Sequence, residues 1–243
     1  MKLRAELPVA ELLAMQAAWL APARSALLRR ATIAQRKRVL DLGAGYGAVT
    51  GELARRAGGS VVALDRAGDA LRACDASAAR VGGDGARLPF QSDAFDLVFT
   101  QFGLLWMTPL AVVVAEVARV LTPGGVLVAL EPDYGGLIES PPEVVTREVW
   151  LAALARAGAD PLVGRKLPGL LSVQGLDVRV SLLDTLTPAS PSRLDFLRDL
   201  PLTPDESAQL ERASRVAAAA QGWQHVAHLP LFLILATKKA QRI

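Results

Sequence analysis

Aspartates and closely spaced glycines carry the chemistry that this sequence offers first. Asp41 lies within a short apolar run, residues 39–42, and three glycines follow it at alternate positions, Gly43, Gly45 and Gly47. Glycines let a backbone adopt φ > 0 and let a ligand come close to it. A carboxylate beside such a turn suits a ligand with an ammonium or sulfonium group and disfavours a pyrophosphate. This stretch therefore predicts a site for a cationic small molecule.

The elements around this turn are those of a doubly wound α/β sheet. Residues 38–42 have the pattern of a buried parallel strand, and residues 48–56 that of a helix. In such sheets the ligand lies over the carboxyl ends of the strands. A dinucleotide-binding fingerprint would place the third glycine one residue later than Gly47, so a dinucleotide site is disfavoured.

Three motifs make a family resemblance specific. Asp41 to Gly47 reads D-x-G-x-G-x-G and resembles motif I of the class I S-adenosylmethionine-dependent methyltransferases. Residues 83–90, Gly-Asp-x-x-x-Leu-Pro-Phe, and residues 116–125, Glu-x-x-Arg-Val-Leu-x-Pro-Gly-Gly, are similar to segments of UbiE-like and small-molecule methyltransferases. The resemblance covers about residues 38–133. It implies a Rossmann-like, seven-stranded, mostly parallel sheet with an antiparallel edge strand, helices on both faces and S-adenosylmethionine as cofactor.

The candidate cofactor-binding residues follow the ends of successive predicted strands. Asp65 ends a strand over residues 60–65, about twenty residues beyond the glycines, where a carboxylate can accept hydrogen bonds from both ribose hydroxyls; a helix N-cap is the alternative. Asp84 can accept from an adenine amine, or it can simply form an Asp-Gly turn. Gln101 could contact the methionine part. The full set is Asp41, Gly43, Gly45, Gly47, Asp65, Arg66, Asp84, Gly85, Ala86 and Gln101.

The candidate catalytic residues are Asp133, Tyr134 and His225. Asp133 and Tyr134 follow the predicted fifth strand together with Glu131, where they could bind an acceptor or take its proton, or form a capped loop instead. His225 and His228 have the i, i+3 spacing of metal ligands, but no third ligand accompanies them, so no metal is predicted. Packed or surface histidines are the alternative.

The remaining pattern predicts one domain with a helical cap. We expect further strands at 79–82, 95–100, 126–130, 176–183 and 229–237, and helices at 8–31, 69–79, 109–121, 142–158 and 205–220. Pro22 predicts a break in the first helix. Its Trp19 either packs on the sheet edge or faces the ligand from a lid. The cap would comprise residues 1–37, about 140–170 and 188–222.

Composition narrows the class of protein. Hydrophobic residues make up 51% of the 243 residues, the net charge is +3, and cationic side chains are scattered, which disfavours nucleic acid as a partner. Cys74 is the single cysteine, so no intrachain disulfide can form. Glu6 and Glu11 interrupt any signal-like apolar run, and we expect a cytoplasmic protein without a membrane partner. Homo-oligomerisation stays open.

The predicted function is methyl transfer to a small organic acceptor. The residues after the fourth strand, 101–104, lack the Asn/Asp-Pro-Pro-Tyr pattern of nucleobase amino-methylating enzymes, and Cys74 lies on a crossover helix rather than at a nucleophile position. Two alternatives stay open. One is an RNA or protein methyltransferase, and the other is a cofactor-binding protein that transfers no methyl group.

Overall fold

The computed structural model describes residues 10–74 and 78–240 of the chain. Within them nine strands form. In chain order they are β1 (Arg38–Leu42), β2 (Ser60–Asp65), β3 (Ala79–Gly82), β4 (Phe95–Gln101), β5 (Leu121–Pro132), β6 (Ile138–Ser140), β7 (Leu176–Leu182), β8 (Val226–His228) and β9 (Leu231–Lys238). All the predicted strands are present, and the two short strands β6 and β8 are additional.

Seven strands form one sheet in the order β3-β2-β1-β4-β5-β9-β7. The first five pair in parallel, whereas β9 runs antiparallel to both of its neighbours. The predicted mostly parallel sheet with antiparallel pairing at one edge is confirmed, and the reversed strand lies second from that edge. The strand order turns back between β1 and β4, and at such a point the loops diverge and leave a crevice for a ligand. β6 and β8 form a separate antiparallel ribbon.

The described helices flank the sheet. They are α1 (Ala10–Arg30), α2 (Thr50–Arg56), α3 (Gly68–Arg72), α4 (Leu110–Val120), α5 (Arg147–Arg156), α6 (Val163–Val173), α7 (Asp195–Arg198) and α8 (Pro204–Ala219). No described helix combines the length and apolarity that crossing a bilayer requires.

Two helix predictions were wrong in extent, and one helix was not predicted. The helix predicted over 69–79 ends as α3 at Arg72, before the chain turns into β3; residues 75–77 lie outside the described part, as do residues 8 and 9 of the first predicted helix. The helix predicted over 142–158 is a 3-10 turn followed by α5. α6 was missed because Pro168 lies inside it.

The predicted break at Pro22 was also wrong, because α1 continues through it. Proline removes one N–H and displaces the carbonyl of the preceding turn. In that turn the Arg24 guanidinium donates to the Ala17 carbonyl at 2.8 Å. Leu20 and Leu27, on either side of the proline, are fully buried against the sheet. Packing and this side-chain bond keep the two halves of α1 in line.

Successive side chains of a strand point to opposite faces of the sheet, and a hydrophobic core covers each face. Leu40 and Leu42 of β1 face a core that includes α4, α5, α6 and α8. Val39 of β1 and Leu97 of β4 face the opposite core, against α1 and α2. Because both faces are covered, the central strands β1, β4 and β5 are largely apolar, and Asp41, Gln101 and Glu131 lie toward their carboxyl ends.

Candidate active site

A cavity of about 630 Å³ opens over the carboxyl ends of β1, β2 and β4. One side, which we call the cofactor half, is formed by the glycine turn after β1 and the loops after β2 and β3. The other side, the acceptor half, is formed by residues from the loop after β4, the segment after β5, α5 and the segment around α7. All three predicted cap segments contribute wall residues, among them Leu13 of α1, Trp150 of α5 and Phe196 of the 188–222 region.

The glycine turn has the backbone that its sequence predicts. Gly43, Gly45 and Gly47 all have positive φ, between 53° and 79°. Gly43 and Gly45 lie in the cavity wall, but Gly47 does not. An added Cβ on Gly47 would lie 2.4 Å from Cys74 Sγ, so this glycine permits close packing behind the turn. Gly47 thus has a packing role in the structure, and its contact with the cofactor stays a prediction.

Asp41 lies buried in the wall beneath this turn. Its Oδ2 accepts a 2.6 Å hydrogen bond from Thr50 Oγ1 of α2. Burial raises the pKa of Asp41 to about 6, although the bond from Thr50 opposes the shift; the negative charge of Asp65 raises it further. At neutral pH the desolvated Asp41 carboxylate is therefore largely ionised beside the turn. A cationic ligand would reduce the free-energy cost of burying this negative charge.

Asp65 joins the end of β2 to the glycine turn. Its Oδ2 accepts from the Gly45 N–H and its Oδ1 from the Ala67 N–H, each at 2.8 Å. A carboxylate has about four acceptor sites, so both oxygens keep capacity for a ligand hydroxyl. Arg66, the next residue, also lines the cavity.

The loop after β3 contributes Asp84 and Gly85 to the wall. Asp84 Oδ1 accepts from the Ala86 N–H at 2.9 Å, forming a local turn. The Ala86 N–H is therefore occupied, and Ala86 lies outside the cavity lining, so the geometry gives no support to its place in the predicted cofactor-binding set. An added Cβ on Gly85 would lie 2.7 Å from Met107 Sδ, so a larger residue here would displace the Met107 side chain.

Gln101, at the end of β4, is held by a residue that the sequence did not single out. Arg24 of α1 donates from Nη1 to Gln101 Oε1 at 3.0 Å. Arg24 is 4% exposed and also forms an ion pair with Glu52 of α2. The available signal was a cation inside an otherwise apolar helix face, but its partner lies 77 residues away in the sequence.

Aromatic side chains dominate the acceptor half. Tyr134, on the 3-10 turn after β5, stacks on Trp150 of α5 with ring centroids 4.8 Å apart. Burial alone raises the pKa of the Tyr134 phenol, so this group stays protonated. Other wall residues, which sequence reasoning missed, are Leu154, Phe196, Asp199 and Leu200. They come from separate segments, and only the fold brings them together.

Two of the predicted catalytic carboxylates lie outside the cavity lining. Asp133 Oδ2 accepts from Arg165 Nε at 2.7 Å, and its Oδ1 accepts from the Gly135 N–H. Glu131 is fully buried, and its Oε1 accepts from Thr100 and from the N–H groups of Gly103 and Leu104. Burial raises the pKa of Glu131 to about 7. Both residues shape loops, so the geometry disfavours them as bases.

His225 also lies outside the cavity lining, in a buried polar cluster with Arg193 and Glu139. Arg193 Nε donates to His225 Nε2 at 3.3 Å, and Arg193 forms a 3.0 Å ion pair with Glu139. Burial lowers the pKa of His225, and the nearby Arg193 lowers it further. His228 is part of β8 and pairs with Ile138. Across residues 10–74 and 78–240 no group of three or more His, Cys, Asp or Glu side chains could hold a metal ion.

The charges around the cavity have one predominant sign. Its ionisable acidic wall residues are Asp41, Asp65, Asp69, Asp84 and Asp199, and Arg66 is the cation among the lining residues. A chain with a net charge of +3 thus forms an acidic cavity. Such a cavity attracts a cation and repels a pyrophosphate or an anionic acceptor.

Comparison with known proteins agrees with this arrangement. Residues 40–129 match the family model described as a methyltransferase domain. Over 113 residues the chain is 38% identical to a demethylmenaquinone methyltransferase from Mycobacterium marinum, a match that covers 46% of this chain and 47% of that protein. The chain thus spans about half the length of the curated relatives that it matches.

Solved structures share the fold over most of the chain. The YcgJ protein from Bacillus subtilis has a TM-score of 0.67 and 16% identity, and the match covers 90% of this chain and 99% of that one. A Haemonchus contortus phosphoethanolamine N-methyltransferase 2, solved with S-adenosylhomocysteine, has a TM-score of 0.61 and 16% identity, covering 90% and 53%. At these identities the likeness establishes the fold. The family match over residues 40–129 and the similarity to the curated relatives support the resemblance that the glycine turn carries, to a class I, S-adenosylmethionine-dependent methyltransferase domain.

Proposed function

We propose that this protein transfers a methyl group from S-adenosylmethionine to a small, uncharged and largely apolar acceptor. The observation that carries the proposal is the division of one cavity into an acidic cofactor half and an aromatic acceptor half. The first half suits a cationic nucleoside, and the second suits a ring that stacks on aromatic side chains.

The cofactor half fits S-adenosylmethionine in its donors, acceptors and shape. Asp65 keeps acceptor capacity for ribose hydroxyls, and Asp84 and Gly85 can receive the adenine edge. Gly43, which has a positive φ, and Gly85, which packs beside Met107, add no side chain of their own between the wall and the ligand. When bound, S-adenosylmethionine supplies an electrophilic methyl group, and its transfer leaves a neutral thioether.

The acceptor half orients the nucleophile and excludes water. Effective molarity from such alignment contributes up to about 7–11 kcal/mol to a transfer of this kind. Tyr134 stays protonated and can donate a hydrogen bond to the acceptor. We propose Tyr134 as the residue that orients the acceptor, because Asp133 and His225 lie outside the cavity lining. Asp199 is the carboxylate of this half that could take a proton from the nucleophile.

The chemical class of the acceptor is inferred from the residues of the acceptor half and not from the relatives. The family match ends at residue 129, before Tyr134, Trp150 and Phe196. The demethylmenaquinone methyltransferases are named for a ring-containing acceptor, and the aromatic walls here are compatible with an acceptor of that kind. We further propose that α1, α5 and the segment around α7 form the cap on this half. A cytoplasmic location stays a prediction.

The proposal is tested by binding and then by transfer. Isothermal titration with S-adenosylhomocysteine should give micromolar affinity, and titration with NAD should give none; binding of NAD instead would overturn the proposal. Methyl transfer from labelled S-adenosylmethionine is then measured with hydroxylated naphthalenes, aromatic amines, bulk RNA and a protein lysate. Incorporation into RNA or protein alone would favour the alternative methyltransferase class. Cofactor binding without transfer to any of them would favour a binding protein.

A further inference from the structure

Arg24 forms a buried network that ends at the cavity wall. From α1 it donates to Glu52 Oε2 through Nε at 2.9 Å, and its Nη2 lies 2.7 Å from the same oxygen. Its Nη1 donates to the Ala17 carbonyl at 2.8 Å and to Gln101 Oε1 at 3.0 Å. Ala17 and Gln101 line the cavity, but Arg24 does not. The charge of Arg24 is balanced by Glu52, and its hydrogen bonds are directed to the protein.

This network determines which end of the Gln101 amide faces the ligand. A guanidinium can only donate, so the atom of Gln101 that it contacts must be the amide oxygen. The amide nitrogen then lies on the other side. Among the described residues the fully buried side-chain atoms without a partner are Glu131 Oε2 and His225 Nδ1, and Gln101 Nε2 is not one of them. Since the amide oxygen of Gln101 is bonded to Arg24, the amide nitrogen is the polar end of this lining residue that is left to bind a ligand.

A neutral donor at this position has a specific use. The methionine portion of the cofactor carries a carboxylate as well as an ammonium group, and the aspartates of the cavity suit the ammonium and repel the carboxylate. Arg66, the cation of the lining, follows Asp65 at the ribose position rather than at the end of β4. The Gln101 amide nitrogen offers a hydrogen bond to the carboxylate without adding an acceptor that would repel it.

We propose that Arg24 is a positioning residue that holds Gln101 as the hydrogen-bond donor for the carboxylate of the bound amino-acid portion. This inference rests on the proposed function. Without Arg24, the Gln101 amide can rotate and present its oxygen, so recognition of the carboxylate is lost while recognition of the nucleoside remains. The inference therefore predicts a selective change in binding, which a general loss of packing would not produce.

The experiment compares two ligands that differ in the amino-acid portion. S-adenosylhomocysteine carries it, whereas 5′-methylthioadenosine lacks the carboxylate and the ammonium. Arg24→Met should weaken S-adenosylhomocysteine about tenfold by titration calorimetry, which corresponds to one charged hydrogen bond. The affinity for 5′-methylthioadenosine should change less than twofold. Gln101→Glu, which still accepts from Arg24 but places a carboxylate oxygen toward the cavity, should give the same selectivity.

The controls separate this role from folding and from the proposed function. If Arg24→Met does not fold because Glu52 is left partly unpaired, the double variant Arg24→Met/Glu52→Gln removes both charges and is used instead. Arg156→Met removes an arginine that pairs with Glu206 at the surface, and it should change neither affinity. Equal weakening of both ligands, or no weakening, would overturn the role of Arg24. A wild-type protein that binds neither ligand would overturn the proposed function itself.

Discussion

The two halves of the cavity are constructed from different parts of the chain and by different means. The cofactor half uses backbone groups and short acidic side chains at the ends of consecutive strands, as in the bonds from Gly45 and Ala67 to Asp65. The acceptor half uses large side chains from separate segments, such as Tyr134, Trp150 and Phe196. The first half is polar and tightly determined by the sheet. The second is apolar, and its shape depends on how later helices pack.

This difference explains why the family match over residues 40–129 covers the cofactor half and ends before Tyr134, Trp150 and Phe196 of the acceptor half. A strand end with a glycine turn has few alternative conformations, so a ligand that fits it constrains the sequence locally, and residues 40–129 match the family. An apolar wall can be formed by many combinations of side chains with similar volume. The binding of cofactor and the choice of acceptor should therefore respond to different substitutions.

The largest effect is expected at Asp65. Asp65→Ala removes the acceptor for the Gly45 and Ala67 N–H groups and the proposed acceptor for ribose. Affinity for S-adenosylhomocysteine should fall about 100-fold or more, since two charge-assisted hydrogen bonds are lost. Calorimetry measures the change, and Asp177→Ala, on the exposed strand β7, is the matched control. An unchanged affinity would show that the cofactor half is elsewhere.

Substitution of Asp41 should stabilise the fold and weaken cofactor binding. Its native pKa of about 6 exceeds the ordinary value of 3.8, so the folded state holds more proton between these values, and stability falls as pH rises through that window. Above pH 6 the buried Asp41 carboxylate is ionised, and its charge destabilises the folded state to the full extent. Asp41→Asn can keep the Thr50 bond and should raise the free energy of unfolding at pH 8 by about 1–3 kcal/mol.

The same substitution should weaken binding of the cation. Affinity for S-adenosylmethionine should decrease more than affinity for S-adenosylhomocysteine, because the sulfonium charge loses its opposite partner. Urea unfolding at pH 8 and at pH 4 gives the stability difference, which should vanish at the lower pH. A variant less stable than the wild type at pH 8 would contradict the assignment of Asp41 as a desolvated charge.

The residues of the cavity wall could be predicted from the sequence more completely in the cofactor half than in the acceptor half, for a physical reason. Asp65 and Asp84 were placed correctly in the wall because side-chain position at a strand end follows from the pattern of the strand itself. Ala86 and Gly47 were assigned a ligand contact that local geometry uses otherwise, in a turn with Asp84 and in packing on Cys74. These bonds depend on backbone detail that a pattern of residue types does not contain.

Side-chain pairs between residues far apart in the chain could not be predicted from the sequence. Nothing near Asp133 indicates Arg165, and nothing near Gln101 indicates Arg24, because the partners come from elements brought together by the sheet order. The predicted break at Pro22 failed in the same way, since burial of Leu20 and Leu27 outweighs a local preference. The overall sheet could be predicted from the sequence because it depends on apolar runs and glycine turns.

Tyr134 provides the complementary test in the acceptor half. Tyr134→Phe keeps the stack on Trp150 and removes the hydroxyl. Turnover with an aromatic acceptor should fall about tenfold, the value of one hydrogen bond made to the reacting group. Affinity for S-adenosylhomocysteine should stay within twofold of the wild type, in contrast to Asp65→Ala. If both quantities fall together, the two halves are not independent.

The smallest effect is expected at His225, which lies outside both halves. Its pKa is lowered because it is buried beside Arg193, so the unfolded chain binds the proton more readily, and stability is lost as pH falls below about 6.5. The melting temperature of the wild type should fall between pH 7 and pH 5, and this fall should be smaller in His225→Asn. The change in stability should be smaller than the one expected for Asp41→Asn. Affinity for S-adenosylhomocysteine and turnover at pH 7.5 should not change, because the cluster with Glu139 supports α5 from behind the cavity wall. A selective loss of turnover in His225→Asn, with an unchanged melting curve, would instead restore the histidine as a base and require the acceptor half to extend to β8.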